Sequence, residues 1–327
     1  MKQRMFGKTN VNVSEISLGC WQLGGRWGDD FDESLARETL DIATSQGINC
    51  FDTADVYQGG MSEHIIGKYI KDMKNPPFVI TKIGRKSNPH VKEAYNKEAL
   101  LNFINDSRTN MDVESLDMVL LHCPPTDVYY MPEVFKNLDE FKAQGLIKHY
   151  GVSVERIEEG LKAMEYENVD AIEIIFNMFR LRPTELFFEQ AKKKNVGVIV
   201  RVPLASGLLT GKFNAGSTFK DGDHRKFNRN GEAFDKGETF SGVDYNLGLR
   251  AVEELKSIFK EQTLSQVALR YILMFDAVST VIPGASKTEH VVANVEASNL
   301  SPLSKKEMDE VRRIYNKYIK ESVHHLW

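Results

Sequence analysis

The sequence has no two cysteines close together: Cys20, Cys50 and Cys123 are far apart and form no CxxC pair. That excludes a disulfide scaffold and a cysteine-rich zinc knuckle, and it suits a reducing compartment. No apolar run is long enough to cross a bilayer, and the opening MKQRMFGKTN has no apolar signal core, so a cytoplasmic protein without membrane contact is expected. Positive charge is not in excess either. With 42 Lys and Arg against 46 Asp and Glu, the formal charge is −4, which argues against a nucleic-acid partner held through phosphates and points to a small molecule instead. A GxGxxG fingerprint is also missing. Where a doubly wound dinucleotide fold would carry it, the chain reads Gly19-Cys-Trp-Gln-Leu-Gly-Gly25, which leaves that fold as the runner-up.

What the chain does have is a rhythm. After a hairpin pattern around Gly7-Lys8-Thr9-Asn10, short apolar strands recur at 16–20, 49–52, 78–83, 116–122, 148–152, 171–176, 197–202 and 278–282. Helical spacing fills the intervals, at 33–46, 62–72, 97–109, 132–143, 154–164, 184–194, 247–259 with 265–274, and 288–297. Parallel strands joined by helical crossovers are buried on both faces, which explains nearly continuous apolar runs such as 117–121 and 196–200. Eight such units close a (β/α)8 TIM barrel, here expected as a single domain over 1–327.

Residues 213–245 break the rhythm with a long, polar, glycine-punctuated segment after the seventh strand. Such a segment is either a lid or disordered, and its Phe219, Phe227, Phe234, Phe240 and Tyr245 argue that it packs down. Beyond Leu300 the spacing of Leu303, Met308, Val311, Ile314, Tyr315 and Tyr318 predicts one more helix outside the barrel. The closing His324-His325-Leu326-Trp327 is read as a tail or as part of the pocket rim.

Barrel chemistry sits at the C-terminal ends of strands. The second strand ends at Asp52 with Tyr57 just beyond, the third carries Lys82 and the fourth ends at His122. Three adjacent strands would bring these residues into one volume. A phenol with an ordinary pKa of about 10 is a poor proton donor at neutral pH, and a neighbouring ammonium would lower that value. Asp52 would keep Lys82 charged, a neutral His122 could donate to a carbonyl oxygen, and Tyr57 would be a general acid. Other readings stay open at this point. Lys82 could form a Schiff base as in aldolases, although an adjacent Asp52 would make it a poor nucleophile. Asp52, Asp55 and His122 could ligate a metal, yet no HxH or HxxxH pair accompanies them. The four residues could also be a buried structural ion pair and its neighbours.

With these residues in view, the sequence resembles the aldo-keto reductase superfamily over nearly its whole length. The resemblance is carried by Phe51-Asp-Thr-Ala-Asp-Val-Tyr57 followed by Ser62-Glu63, by the 7–19 stretch, by Gly151-Val-Ser153, by 203–212 and by Ile282-Pro-Gly-Ala-Ser286. It implies an enzyme that reduces an aldehyde or ketone with NADPH, using Asp52, Tyr57, Lys82 and His122 as its catalytic tetrad and no metal. It further implies cofactor contacts from Cys20, Trp21, Asp52, Ser153, Glu173 and Arg201 around the nicotinamide. Pro203, Leu204, Ser206, Gly207, Leu208 and Lys212 would cradle the pyrophosphate, and Gly284, Ser286, Lys287, His290 and Asn294 the adenosine end. Lys287 and His290 are the available clamps for a 2'-phosphate, which favours NADP(H) with NAD(H) possible.

Some positions depart from the family pattern. Val154 and Glu173 stand where relatives commonly have Asn and Gln to grip the nicotinamide carboxamide, and an ionised Glu173 can only accept hydrogen bonds. Arg201 replaces an aromatic that stacks on the ring. Its cation would pair with Glu173, or would disfavour the oxidised ring and bias binding toward reduced cofactor. Substrate choice is assigned to Trp21, Trp27, the Cys123-Pro-Pro125 loop and segment 213–245, where His224, Arg225 and Arg229 hint at a polar or anionic substrate. A cofactor-sensing regulatory subunit of the same fold is the alternative function.

Overall fold

The computed structural model describes residues 1–25 and 29–327; Trp27 lies outside them. The chain opens with β1 (Gln3–Met5) and β2 (Asn12–Ser14), paired antiparallel in the expected hairpin. Eight parallel strands follow: β3 (Leu18–Gly19), β4 (Cys50–Asp52), β5 (Phe78–Ile83), β6 (Leu116–His122), β7 (Ile147–Ser153), β8 (Ala171–Ile175), β9 (Gly197–Arg201) and β10 (Thr280–Val281). Each hydrogen-bonds to its neighbours in sequence order, and parallel bridges Ile16↔Val281 and Gly19↔Gly284 close the last strand onto the first. The (β/α)8 barrel expected from the rhythm is therefore the fold. The first and last strands are shorter than their apolar runs because closure there rests on single bridges rather than a continuous ladder.

The crossovers are α1 (Glu33–Ser45), α2 (Met61–Ile70), α3 (Lys97–Met111), α4 (Pro132–Ala143), α5 (Ile157–Ala163) and α6 (Phe187–Lys193). After β9 come the short α7 (His224–Phe227), then α8 (Tyr245–Ile258) and α9 (Leu264–Leu273), and after β10 α10 (Thr288–Asn299). Outside the barrel lie α11 (Lys305–Tyr318) and α12 (Lys320–Val323). α5 starts later than its apolar spacing suggested. Glu159 turns back to accept from the backbone N–H groups of Glu155 and Arg156, which sets the helix start at Ile157.

Two hydrophobic layers follow from the period-two alternation of strand side chains. Phe51, Val79, Val119, Leu121, Val152, Ile172, Val198 and Val200 face outward into the helices. Cys50, Ile80, Met118, Leu120, Ala171 and Ile199 fill the barrel, and Phe6 and Val13 of the hairpin join them as a plug. Gly197 is required there, since a Cβ would come within 2.5 Å of the Phe6 ring. The alternation also decides where polar groups go. Stepping two residues past the inward apolar set along β4, β5, β6, β7, β8 and β9 gives Asp52, Lys82, His122, Ser153, Glu173 and Arg201. A buried polar layer thus rests on an apolar one at the C-terminal mouth.

The 213–245 segment packs down over that mouth, as its aromatics suggested. Asn228 is fully buried, and its Oδ1 accepts from the backbones of Ala233 and Phe234 at 2.8 Å each. Phe219 packs against Phe213, Phe240 and Tyr245. Trp327 reaches back from the far end of the chain to hold the segment. Its indole Nε1 donates to Asp235 Oδ1 at 2.8 Å, Arg180 stacks 4.2 Å over its ring, and the ring lies so close to Gly242 that a Cβ there would sit at 2.4 Å.

Candidate active site

The four residues proposed from the strand ends come together. Lys82 Nζ lies 2.5 Å from Asp52 Oδ1, 3.0 Å from the Thr53 carbonyl and 3.3 Å from the Tyr57 hydroxyl. Tyr57 and His122 meet edge to face with ring centroids 6.0 Å apart. All four are buried, Lys82 completely. Burial alone would strip the proton from Lys82, but Asp52 and Glu173 outweigh it and hold the ammonium charged. Two carboxylates thus face one cation, because Glu173 Oε2 is 3.5 Å from the same nitrogen. Burial, then Glu173, push Asp52 up, against the pull of Lys82.

For Tyr57 the balance differs from the sequence-based expectation. Lys82 does lower its pKa, but burial is the larger effect, and the phenol is pushed up and stays protonated. Burial, with the nearby cations Arg85, Lys82 and Arg201, drives His122 well down, so its imidazole is neutral. Its Nδ1 is buried without a partner, which leaves Nε2 as the nitrogen able to present a proton to the mouth.

Arg201 is not primarily the partner of Glu173. Its Nη2 donates to Glu155 Oε2 at 2.9 Å and to the Val154 carbonyl at 3.1 Å, while Nη1 is 3.7 Å from Glu238 Oε1 and Nε is 3.9 Å from Glu173 Oε1. Glu173 is closer to Ser153, whose Oγ donates to it at 3.2 Å. Three acidic side chains surround the guanidinium, and the ionised Glu238 among them offsets part of the positive charge on which the expected bias toward reduced cofactor rests. Sequence reasoning missed Glu155, Glu238 and Arg85. Glu155 and Arg85 were legible as polar residues two beyond strand ends, whereas nothing local marked Glu238, which arrives from the long segment. Arg85 Nη1 donates to Glu238 Oε1 at 2.9 Å. Burial opposes it, but Arg85 and Arg201 hold Glu238 down at about 2, while burial and Glu238 push Glu155 up to about 8. Cys123, Glu155 and Glu238 bring possible metal-ligating atoms within 4.8 Å of one another. The interleaved Arg201 and Arg85 already supply the cations that such a cluster would need.

The remaining cofactor candidates divide by side chain and backbone. Trp21 lies against Tyr57 with centroids 5.5 Å apart, and Cys20 is fully buried beside it. Along 202–207 the backbone turns left-handed at Val202, Ala205, Ser206 and Gly207, but Pro203 has no N–H to offer and the Gly207 amide already donates to the Leu204 carbonyl at 2.9 Å. Leu208 instead points into the core, Lys212 is exposed, and the Ser206 hydroxyl is spent between the Glu238 carbonyl and the Phe240 amide, both at 3.0 Å. Gly284 and Lys287 are exposed, Ser286 Oγ is 3.5 Å from His290 Nδ1, and Asn294 is buried with Nδ2 3.5 Å from the Gly284 carbonyl. Arg225 and Arg229, which by sequence alone hint at an anionic substrate or else are solvated loop charges, are neither free nor simply solvated. Arg225 is bound to Asp223 and stacked on Phe219, and Arg229 stacks on Phe240 and Tyr245. His224 does face the site, edge-on to Trp21 at 5.8 Å.

Four of the ten buried side-chain atoms that make no hydrogen bond among the described residues lie here: Asp52 Oδ2, Glu173 Oε2, His122 Nδ1 and Arg201 Nε. By contrast, a groove of about 460 Å³ on the outside of the barrel is lined by charges that pair off, Lys192 with Asp276 and Lys193 with Glu189. Unsatisfied polar atoms in a buried layer mark where a ligand is accommodated.

A barrel whose mouth carries this quartet defines a class, and comparison with known proteins agrees. The profile of the Aldo/keto reductase family matches residues 15–316, and the chain belongs to that family of oxidoreductases. It is 29% identical over 315 residues to the uncharacterized oxidoreductase YqkF of Bacillus subtilis, covering 94% of each. It is 27% identical over 317 residues, 93% of each, to a probable voltage-gated potassium channel subunit beta of Arabidopsis thaliana. Among solved structures, the holo form of an aldo-keto reductase from Bacillus halodurans superposes with TM-score 0.77 at 27% identity, covering 96% of each chain. No helix among the described residues is long and apolar enough to cross a membrane.

Proposed function

We propose that the protein reduces an aldehyde or ketone to the alcohol with NADPH, with Tyr57 as the general acid. The observation that carries this reading is the placement of a charged Lys82 3.3 Å from a protonated Tyr57 hydroxyl, with a neutral His122 beside the ring. The reduced nicotinamide, when bound, supplies the hydride. His122 Nε2 donates to the carbonyl oxygen and orients it. As negative charge grows on that oxygen, the Tyr57 proton passes to it, and Lys82 stabilises the phenolate left behind. Asp52 keeps Lys82 in place and charged. A lysine held in this way is a poor amine nucleophile, which argues against the aldolase reading.

The residues present fit a nicotinamide carboxamide despite their departure from the family pattern. Glu173 Oε2, 3.5 Å from Lys82 Nζ, and Arg201 Nε, 3.9 Å from Glu173 Oε1, each make no hydrogen bond among the described residues. Side by side they complement an amide NH2 and C=O, so the donor that Glu173 lacks comes from Arg201. The segment after β9 would border the pyrophosphate, and Lys287, immediately before α10, would meet a 2'-phosphate. The complete quartet argues for an enzyme over a cofactor-sensing subunit. The test is the loss of reduced-nicotinamide absorbance with aldehyde panels. Tyr57→Phe should lower kcat by about 10²-fold or more while NADPH still quenches protein fluorescence. Full activity in that variant refutes the assignment.

A further inference from the structure

The contacts around the mouth form a closed ring. Tyr57 touches Trp21 (5.5 Å between centroids), Trp21 touches His224 (5.8 Å), His224 touches Phe234 (6.5 Å), and Arg85 lies over Phe234 (5.4 Å). Arg85 then bonds Glu238, Glu238 neighbours Arg201, Arg201 reaches Cys123 Sγ at 3.5 Å, and the chain returns through His122 to Tyr57. The wall therefore has two aromatic members, Trp21 and Phe234, and a polar arc.

Within that arc the cations are unequally committed. Lys82 is spent on Asp52, Thr53 and Tyr57, and Arg201 on Glu155, the Val154 carbonyl and Cys123. Arg85 makes a single hydrogen bond among the described residues, from Nη1 to Glu238, and its side chain keeps 21% exposure. Its position is set by Gly84. That residue turns left-handed at φ 98 and packs where a Cβ would lie 2.8 Å from the Tyr95 ring, which fixes the direction in which the chain enters Arg85.

We propose that the carbonyl substrate carries an anionic group, a carboxylate or a phosphate, and that Arg85 is the specificity-determining residue that receives it. The remaining guanidinium N–H groups form the planar donor fork that such an anion matches. Glu238 is the internal competitor that occupies the fork when no substrate is bound. Phe234 and Trp21 enclose the carbon skeleton between the fork and Tyr57.

The inference rests on the reductase reading, and the experiment separates the two. With NADPH and the full chain, kcat/KM is compared within matched pairs: succinic semialdehyde against butanal, and phosphoglycolaldehyde against glycolaldehyde. Wild type should prefer the anionic member of at least one pair by about tenfold or more, and the pair with the larger ratio identifies the anion. Arg85→Met should bring that ratio close to one, Arg85→Lys should restore part of it, and Glu238→Gln should raise it. A purely structural ion pair would not move the ratio in opposite directions from its two ends. Each variant is first checked for NADPH binding; if Arg85→Met fails there, the Glu238→Gln ratio decides. A wild-type ratio near one in both pairs, or a ratio unmoved by the variants, overturns the proposal and leaves the reductase reading intact. A wild type that binds NADPH yet reduces neither member of either pair overturns the reductase reading.

Discussion

Asp55 sits two residues before Tyr57 with its side chain fully buried, and neither carboxyl oxygen has a hydrogen-bond partner. Among the described residues its ion-pair partner is Lys86, whose Nζ is 3.8 Å away and is held more closely, at 2.8 Å, by Asp106. Burial therefore pushes the Asp55 carboxyl up from 3.8 to about 7, against the weaker pull of Lys86. The folded state binds this proton more tightly than the unfolded chain does. Stability from the group is then fully present below pH 4 and is lost as pH rises through the window from about 4 to about 7. Each pH unit in that window is worth about 1.4 kcal/mol, so the loss complete above pH 7 is at most roughly 4 kcal/mol. Asp55→Asn keeps the shape and removes the ionisation. Melting curves of both proteins at pH 4, 5, 6, 7 and 8 should separate progressively, with the variant melting several degrees higher at pH 8 and close to wild type at pH 4. Parallel pH profiles, or a variant that loses more stability at pH 8 than at pH 5, would refute the argument.

Two other perturbations follow from the same geometry. Trp327→Ala removes the Arg180 stack, the bond to Asp235 and the packing on Gly242; a cost of about 3–5 kcal/mol is expected, with faster proteolysis within 213–245 as the local readout. Glu173→Gln removes one of the two carboxylates facing Lys82 and supplies the amide donor that Glu173 lacks. NADPH should bind several-fold more tightly, by fluorescence titration, and weaker binding would contradict the carboxamide grip assigned to Glu173 and Arg201.

Much of the fold was legible because its signal is local. Eight apolar runs separated by helical spacing predicted the barrel, and which face of each strand turned inward followed from the two-residue alternation. Asp52, Lys82 and His122 were legible for the same reason: each is an ionisable residue at the end of an apolar run, on the inward parity. Tyr57 needed its motif. Arg201 was placed correctly at the mouth, but its partner was misjudged. Strand adjacency suggested Glu173, whereas the long arginine side chain reaches past it to Glu155 and Glu238. The stacking of Arg225 and Arg229 on Phe219, Phe240 and Tyr245 was not legible, because loop charges carry no local sign of what they stack on, and solvated charge or substrate contact were the readings the sequence offered.

What the sequence determined by itself is the barrel, the polar layer at its C-terminal mouth and the family. All three follow from side-chain period and from residues near one another in the chain. What only the tertiary structure decided is the charge state and surroundings of that layer. The protonation of Tyr57 turns on burial, the enclosure of Arg201 on the meeting of β7, β8 and β9, and the freedom of Arg85 on a segment more than 150 residues away that delivers Glu238. Electrostatic energies depend on distance and on exclusion of water, and neither quantity exists until the chain has closed on itself.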